Sequence, residues 1–230
     1  MDKILAVDVG GSHVKLLRSG EHEARRFDSG PKLTAQQMVD GVKQEADGWD
    51  YDAVTVGIPA PVHHGRLAVD PVNLGQGWVA FDFEAAFGKP TIVVNDAAMQ
   101  AVGSYEGGRM LFLGLGTGLG SAVIDEGLVE PMELGHLPFR KKTFEDYVGT
   151  AGLEKLGKKR WREAVRETVD HLYRALEPDY VVIGGGNAEH LDELPGYARR
   201  GDNANAFKGG FRLWDKPDRP PVERVLAIRV

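Results

Sequence analysis

The chain has no cysteine among its 230 residues, which excludes a disulfide framework and a thiolate metal site. It also lacks an excess of positive charge. Its 28 Lys and Arg against 34 Asp and Glu leave a formal charge of −6, so nothing global favours a nucleic-acid partner. No apolar run is long enough to span a bilayer, and the opening MDKILAVDVGG reads as a short strand entering a glycine turn, not as a secretion signal. These absences point to a cytoplasmic protein with neither membrane nor nucleic acid as partner. What remains is ordinary globular composition, 42% hydrophobic and 27% charged, in a chain long enough for one large domain or two lobes.

Glycine, by contrast, is abundant and grouped. In LFLGLGTGLGSAVI, residues 111–124, it stands at 114, 116, 118 and 120 between apolar, strand-like flanks. Glycine weakens a strand, so such a run marks a tight bend or a close approach to the backbone. The run fails the G-x-G-x-x-G fingerprint, because Leu119 or Ser121 takes the third position, and no Gly-Lys-Ser/Thr follows. A turn of bare N–H groups with Thr117 at its tip suits an anion cradle. By itself the run serves equally as a hairpin bent for packing.

The rest of the pattern is mixed α/β. Residues 3–9 and 13–17 read as a hairpin turned by Gly10 and Gly11. Residues 34–46 read as a helix capped by Thr34, 53–58 and 91–94 as strands, and a helix begins near Asp96. Strands at 110–115 and 120–124 flank the glycine run. From 161 to 176, Trp161, Val165, Val169, Leu172, Tyr173 and Leu176 share one helical face. A strand follows at DYVVI, and Gly184-Gly185-Gly186 leads towards another helix. Each half opens with a glycine-bent hairpin and then adds strands and helices. This predicts two related lobes, 1–105 and 106–230, with a cleft between them.

Several polar groups sit where such folds place chemistry. Asp8, with Gly10, Gly11, Ser12 and Lys15 after it, is able to hold the water shell of Mg²⁺, which takes one or two carboxylates plus phosphates. Asn95 and Asp96 lie where a strand meets a helix. Both are ordinary caps there, but a carboxylate at a strand end is also placed to accept the proton of an attacking hydroxyl. Glu133-Leu134-Gly135-His136, with Glu145 beyond, combines two carboxylates and an imidazole suited to a polyol. His63 and His64 read as a plain loop pair, and His22, His171 and His190 as surface or core residues. Lys155, Lys158, Lys159, Arg160 and Arg162 concentrate positive charge at the start of the predicted long helix.

Taken in order, these segments resemble the ROK family of sugar kinases, within the actin-like ATPase (ribonuclease H-like) superfold. VDVGGSHVK resembles the family's first phosphate motif and LGLGTGLGS its second. VNDAA is similar to the segment bearing the catalytic aspartate, ELGH to the Glu-x-Gly-His sugar signature, and VVIGGG to the adenosine-side motif. Within the family the likeness is greatest to polyphosphate glucokinases, through Gly-Gly-Ser-x-x-Lys at 10–15, the Asn73-to-Trp78 spacing, LGTGLGSAV and GLVEPMELGHL.

The resemblance implies a two-lobed fold with a mixed β-sheet and helices in each lobe, and a kinase acting on the 6-hydroxyl of a hexose. Asp96 would be the general base. Asn73, Asn95, Glu133, His136 and Glu145 would orient the sugar. Gly10, Gly11, Ser12, Lys15, Gly116, Thr117, Gly118, Gly184, Gly185 and Gly186 would bind phosphate or nucleotide, and Asp8 would hold Mg²⁺ through water. ATP, polyphosphate or both would serve as donor, and homodimers are common in the family. Many members bind zinc through cysteines after Glu-x-Gly-His. Here LPFRKKTFEDY fills that place, so no zinc is expected. The alternatives are an ATP-only kinase for another hexose or N-acetylhexosamine, a sugar-sensing protein on the same fold, and an actin-like ATPase with a non-sugar partner. Sensors usually carry a helix-turn-helix ahead of the first hairpin, which here begins at residue 3.

Overall fold

The computed structural model describes residues 3–202 and 204–215, and these form two compact units. One contains the described residues up to Gly103 and those from Ala204 onward; the other contains those from Ser104 to Asp202.

The first unit is built on a five-stranded sheet: β1 (Ile4–Val9), β2 (His13–Arg18), β3 (Arg25–Asp28), β4 (Ala53–Ile58) and β5 (Thr91–Asn95), in the order β3-β2-β1-β4-β5. The first three strands pair antiparallel, while β4 joins β1 and β5 joins β4 in parallel. A central parallel strand is covered on both faces, and accordingly every residue of AVTVGI in β4 is buried. Helix α1 (Ala35–Glu45) starts where the sequence placed it. Thr34 and Gln37 form a reciprocal capping box, and Met38, Val39 and Val42 are buried in one core with Val7 and Val54. Helix α2 (Asp96–Ser104) follows β5 with no intervening loop.

The second unit repeats this plan. Its sheet comprises β6 (Arg109–Leu115), β7 (Leu119–Asp125), β8 (Leu128–Met132), β9 (Tyr180–Gly184) and β10 (Ala198–Arg200), in the order β8-β7-β6-β9-β10. Again three antiparallel strands are followed by two parallel additions. The echo between the two halves of the sequence is therefore one topology used twice. The short helix α3 (Phe144–Val148) precedes α4 (Thr150–Leu176), which is interrupted at Gly157 (φ 72°, ψ 158°). Trp161, Val165, Val169 and Leu172 of α4 are buried, with Tyr173 and Leu176 packed against the same core. The helix expected after Gly184-Gly185-Gly186 is only a 3₁₀ turn, Gly186–His190. That segment buries just Ala188 and, beyond it, Leu191, too little apolar surface to hold a longer helix.

After the second unit the chain returns to the first as α5 (Asn205–Arg212). Thr55 of β4 donates to the Gly210 carbonyl at 2.8 Å and accepts the Trp214 indole N–H at 2.8 Å. Arg212 donates to the Val102 carbonyl of α2 at 2.9 Å. Among the described residues no helix is long and apolar enough to cross a membrane.

Candidate active site

In the first unit the candidate residues gather at the C-terminal ends of the parallel strands. Asp8, Gly57 and Val94 are register neighbours across β1, β4 and β5. Asp8 also faces Lys15 across the hairpin. Burial pushes the Asp8 carboxyl above its ordinary value, and the Lys15 ammonium offsets part of that shift.

The turn after β1 is closed by the Gly10 N–H, which donates to the His13 carbonyl at 2.9 Å. A Cβ on Gly11 would lie 3.4 Å from Cβ of Asn73, so Asn73 stands against this turn. The loop carrying it is tied by Asp70, which accepts from the N–H of Trp78 at 2.7 Å and of Val79 at 3.1 Å. The Trp78 bond does most to hold the Asp70 carboxyl below its usual range. Trp78 itself is fully buried and donates its indole N–H to the Leu33 carbonyl. The Asn73-to-Trp78 spacing is thus the span of a loop anchored at one end by a core tryptophan.

Asn95 and Asp96 begin α2. Asn95 Oδ1 accepts from the Ala98 N–H at 3.1 Å, capping the helix, while its Nδ2 donates to the Ala60 carbonyl at 3.2 Å. Asp96 Oδ1 accepts from the Ala97 N–H at 2.8 Å. The helix start lies directly on β4: a Cβ on Gly57 would be 3.5 Å from Cα of Asp96 and 2.4 Å from Cε of Met99. Sequence reading treated Gly57 as one residue of a plain strand. Its position, one residue from a strand end, was the available signal.

In the second unit the glycine turn joins β6 to β7, and its pinning was not foreseen. The Gly116 carbonyl accepts three bonds, from the Thr150 N–H, the Thr150 hydroxyl and the Asn187 amide, each at 3.0 Å. Thr150 opens α4 and Asn187 follows the triple glycine, so both signals were small polar residues at element starts. A Cβ on Gly116 would meet nothing within 4 Å, leaving this face of the turn open. Gly118 differs, because its Cβ would lie 2.6 Å from a Glu145 carboxylate oxygen. Gly114, inside β6, would crowd the Phe112 ring. The alternating glycines therefore serve separate purposes, with one open face, one seat for Glu145 and one relief within the strand. Gly185 (φ 83°) passes the turn closely, as its Cβ would stand 2.3 Å from the Leu115 carbonyl. Gly184 pairs with Gly114, and Gly186 borders open space.

Beside this turn the structure brings Glu133, His136 and Glu145 together. His136 Nε2 lies 3.7 Å from Glu145 and 4.0 Å from Glu133, ion-pair distances when the imidazole is protonated. Burial raises the Glu133 carboxyl above its ordinary value; His136 lowers it and Glu145 adds to the rise. The middle residues of Glu-x-Gly-His follow from packing. A Cβ on Gly135 would lie 2.9 Å from the Leu119 carbonyl, and buried Ser121 receives the Leu134 N–H while donating to Met132. Glu145 rides on α3, whose Thr143–Asp146 capping box fixes its start. A two-residue hairpin, Pro138–Phe139 with Lys142–Thr143, spans the distance from His136, and Phe139 stacks on Phe144 at 4.7 Å. An aromatic contact thus occupies the cysteine-free stretch between His136 and Glu145. Among the described residues no three His, Cys, Asp or Glu side chains converge as a metal-binding group. Asp8, one carboxylate beside a glycine turn, is the residue that would hold a hydrated Mg²⁺.

No family model matches the chain. Among curated relatives, the polyphosphate glucokinase of Mycobacterium tuberculosis is 25% identical over 209 residues, covering 81% of this chain and 78% of the relative. An inorganic polyphosphate/ATP-glucomannokinase from Arthrobacter sp. strain KM matches the fold with a TM-score of 0.79 at 22% identity, covering 91% of this chain and 97% of that one. A ROK family glucokinase from Streptomyces griseus, solved with glucose and AMPPNP, gives 0.70 at 16% identity, covering 90% and 97%. The chain is a relative of the polyphosphate glucokinases and has the two-sheet, actin-like fold of the ROK sugar kinases.

Proposed function

We propose that the protein is a hexose kinase, transferring a phosphoryl group from polyphosphate or ATP to the 6-hydroxyl of glucose in the cytoplasm. One observation carries this reading. A polyol-binding set, Glu133, His136 and Glu145, adjoins a glycine turn with an open face, and a Glu145 carboxylate oxygen lies 2.6 Å from where a Cβ on Gly118 would stand. Asp96 takes the proton of the attacking hydroxyl. The deprotonated sugar oxygen then bonds to the terminal phosphorus as the bond to the leaving phosphate breaks. Asn73, Glu133, His136 and Glu145 hold the other hydroxyls, and Asn95 fixes the helix start from which Asp96 projects. Gly10, Gly11, Ser12, Lys15 and the turns at 116–118 and 184–186 receive donor phosphates. Mg²⁺, when bound near Asp8, neutralises donor charge. Phosphoryl transfer asks mainly for positioning and charge neutralisation, which this inventory provides.

The names of the relatives support glucose and both donors. The test is a matrix of glucose, mannose and N-acetylhexosamines against Mg-ATP and nucleotide-free polyphosphate, read as sugar phosphate. Product with glucose and polyphosphate is expected. Product from Mg-ATP alone leaves an ATP-dependent kinase, and no product with any pair overturns the reading.

Asp8→Asn separates function from stability. The folded chain holds the Asp8 proton more tightly than the unfolded chain does, since burial raises this carboxyl. Ionised Asp8 therefore costs stability, and the cost appears as pH rises through the raised value. At neutral pH the variant is expected to lose Mg²⁺-dependent turnover while melting at or above the parent temperature. About 2–4 °C of increase corresponds to each kcal/mol relieved. A lower melting temperature at pH 7, with unchanged turnover, refutes both parts.

Zinc has no place in this reading, because the stretch after His136 offers no thiolate and is closed by Phe139 on Phe144. Untagged protein stripped of zinc is expected to bind glucose like the untreated sample. Elemental analysis showing stoichiometric zinc, whose removal abolishes sugar binding, contradicts this.

A further inference from the structure

We infer that the exposed basic segment at 155–160 is a track for the distal part of a long polyphosphate chain. The inference rests on the polyphosphate reading above and adds a second binding region to it. KLGKKR holds four cations and no acidic residue. Lys155, Lys158, Lys159 and Arg160 are all exposed, and among the described residues none has an ion pair or side-chain hydrogen bond. Two arginines outside the segment are engaged. Arg162, grouped with these residues on sequence, donates to the His190 carbonyl at 2.6 Å and pairs with Asp192, so it leaves the track. Arg140 is paired with Glu167.

Local stability does not explain the patch. The break at Gly157 makes Lys158, Lys159 and Arg160 the first turn of a new helical segment, where the helix dipole repels cations. An acidic chain thus keeps four cations unpaired among the described residues, three of them where its own helix dipole disfavours them, with Glu154 and Glu163 as the nearest acids in sequence. The location fits a donor. The same helix begins at Thr150, which holds the Gly116 carbonyl of the open glycine turn. Gly157 lies about 10 Å along the axis from Thr150 at the usual helical rise. A compact triphosphate held at the turn ends short of that distance, whereas a long polymer spans it.

The test is the triple variant K158Q/K159Q/R160Q. Glutamine is a good helix former and removes the unfavourable charges, so the variant should melt no lower than the parent. Binding of nucleotide-free long-chain polyphosphate, of tripolyphosphate and of ATP is titrated for both proteins over a series of salt concentrations. Long-chain affinity is expected to fall about tenfold at low salt. Its log–log salt dependence should flatten by about two, at about 0.7 per lost contact to a flexible polyanion. Tripolyphosphate and ATP affinities should change less than about twofold, since the screened track lies beyond their reach. Long-chain affinity within about twofold of the parent, with an unchanged salt slope, overturns the track, as does an equal loss for all three ligands. Polyphosphate turnover by the parent tests the donor reading separately, so the two fail by different results.

Discussion

Asp96→Asn is expected to lower turnover by about 10²–10⁴-fold, the usual contribution of a general base, while sugar affinity stays close to that of the parent. Asp96 is the first residue of α2 and its Oδ1 accepts the Ala97 N–H, a bond that an asparagine oxygen makes equally well. Asn95 still caps the helix through Ala98 and still reaches the Ala60 carbonyl. The variant loses a site for the hydroxyl proton and one negative charge at a helix N-terminus, the latter worth about 0.3–1 kcal/mol. A small drop in melting temperature beside a large drop in kcat, with sugar binding by calorimetry retained, is the expected combination. Purified variant turning over within about threefold of the parent removes Asp96 from the chemistry.

The parts of this fold that were legible in the sequence are those fixed by local rules. Thr34 read as a helix cap and 53–58 as a strand; the structure adds Gln37 as the other half of a capping box and buries every residue of AVTVGI. The glycine-bent hairpins opened both halves and suggested two related lobes; that the two sheets share one strand order appears only in the structure. The set Glu133, His136 and Glu145 was legible as residue types, and the structure places both carboxylates within ion-pair distance of His136. What escaped were contacts between segments far apart in sequence. Nothing near Gly116 announces that Thr150 and Asn187 will share its carbonyl. Nothing near Gly118 says that its missing side chain makes room for Glu145. The triple glycine misled in another way. It marked a strand end correctly, but the residues beyond carry too little apolar periodicity for the expected helix, and a 3₁₀ turn forms instead.

The return of the chain as α5 supplies the sharpest test of that long-range packing. Gly103 lies inside α2, where helix propensity alone predicts that alanine stabilises by about 1 kcal/mol. Packing predicts the opposite sign. A Cβ on Gly103 would stand 1.8 Å from the Asn205 carbonyl oxygen and 2.8 Å from the Gly209 nitrogen. From the other side, a Cβ on Gly209 would stand 1.8 Å from the Met99 carbonyl oxygen. The two helices meet backbone to backbone, and no rotamer change relieves an overlap with main-chain atoms. Gly103→Ala must therefore push α2 and α5 apart, which strains the Arg212 bond to Val102 and the Thr55–Gly210 bond beneath it. Overpacking of this kind costs about 1–3 kcal/mol, and a contact between two backbones belongs at the upper end. At about 2–4 °C per kcal/mol for a chain of this size, the melting temperature should fall by about 6–12 °C. Turnover should fall as well, because α2 begins at Asp96 and a shift of about 1 Å at a catalytic group is able to cost about 10²-fold. Gly196→Ala, whose new Cβ meets nothing within 4 Å, serves as the neutral control. A Gly103→Ala protein that melts at or above the parent temperature would mean that propensity outweighs packing here, and that α5 does not brace the helix bearing Asp96.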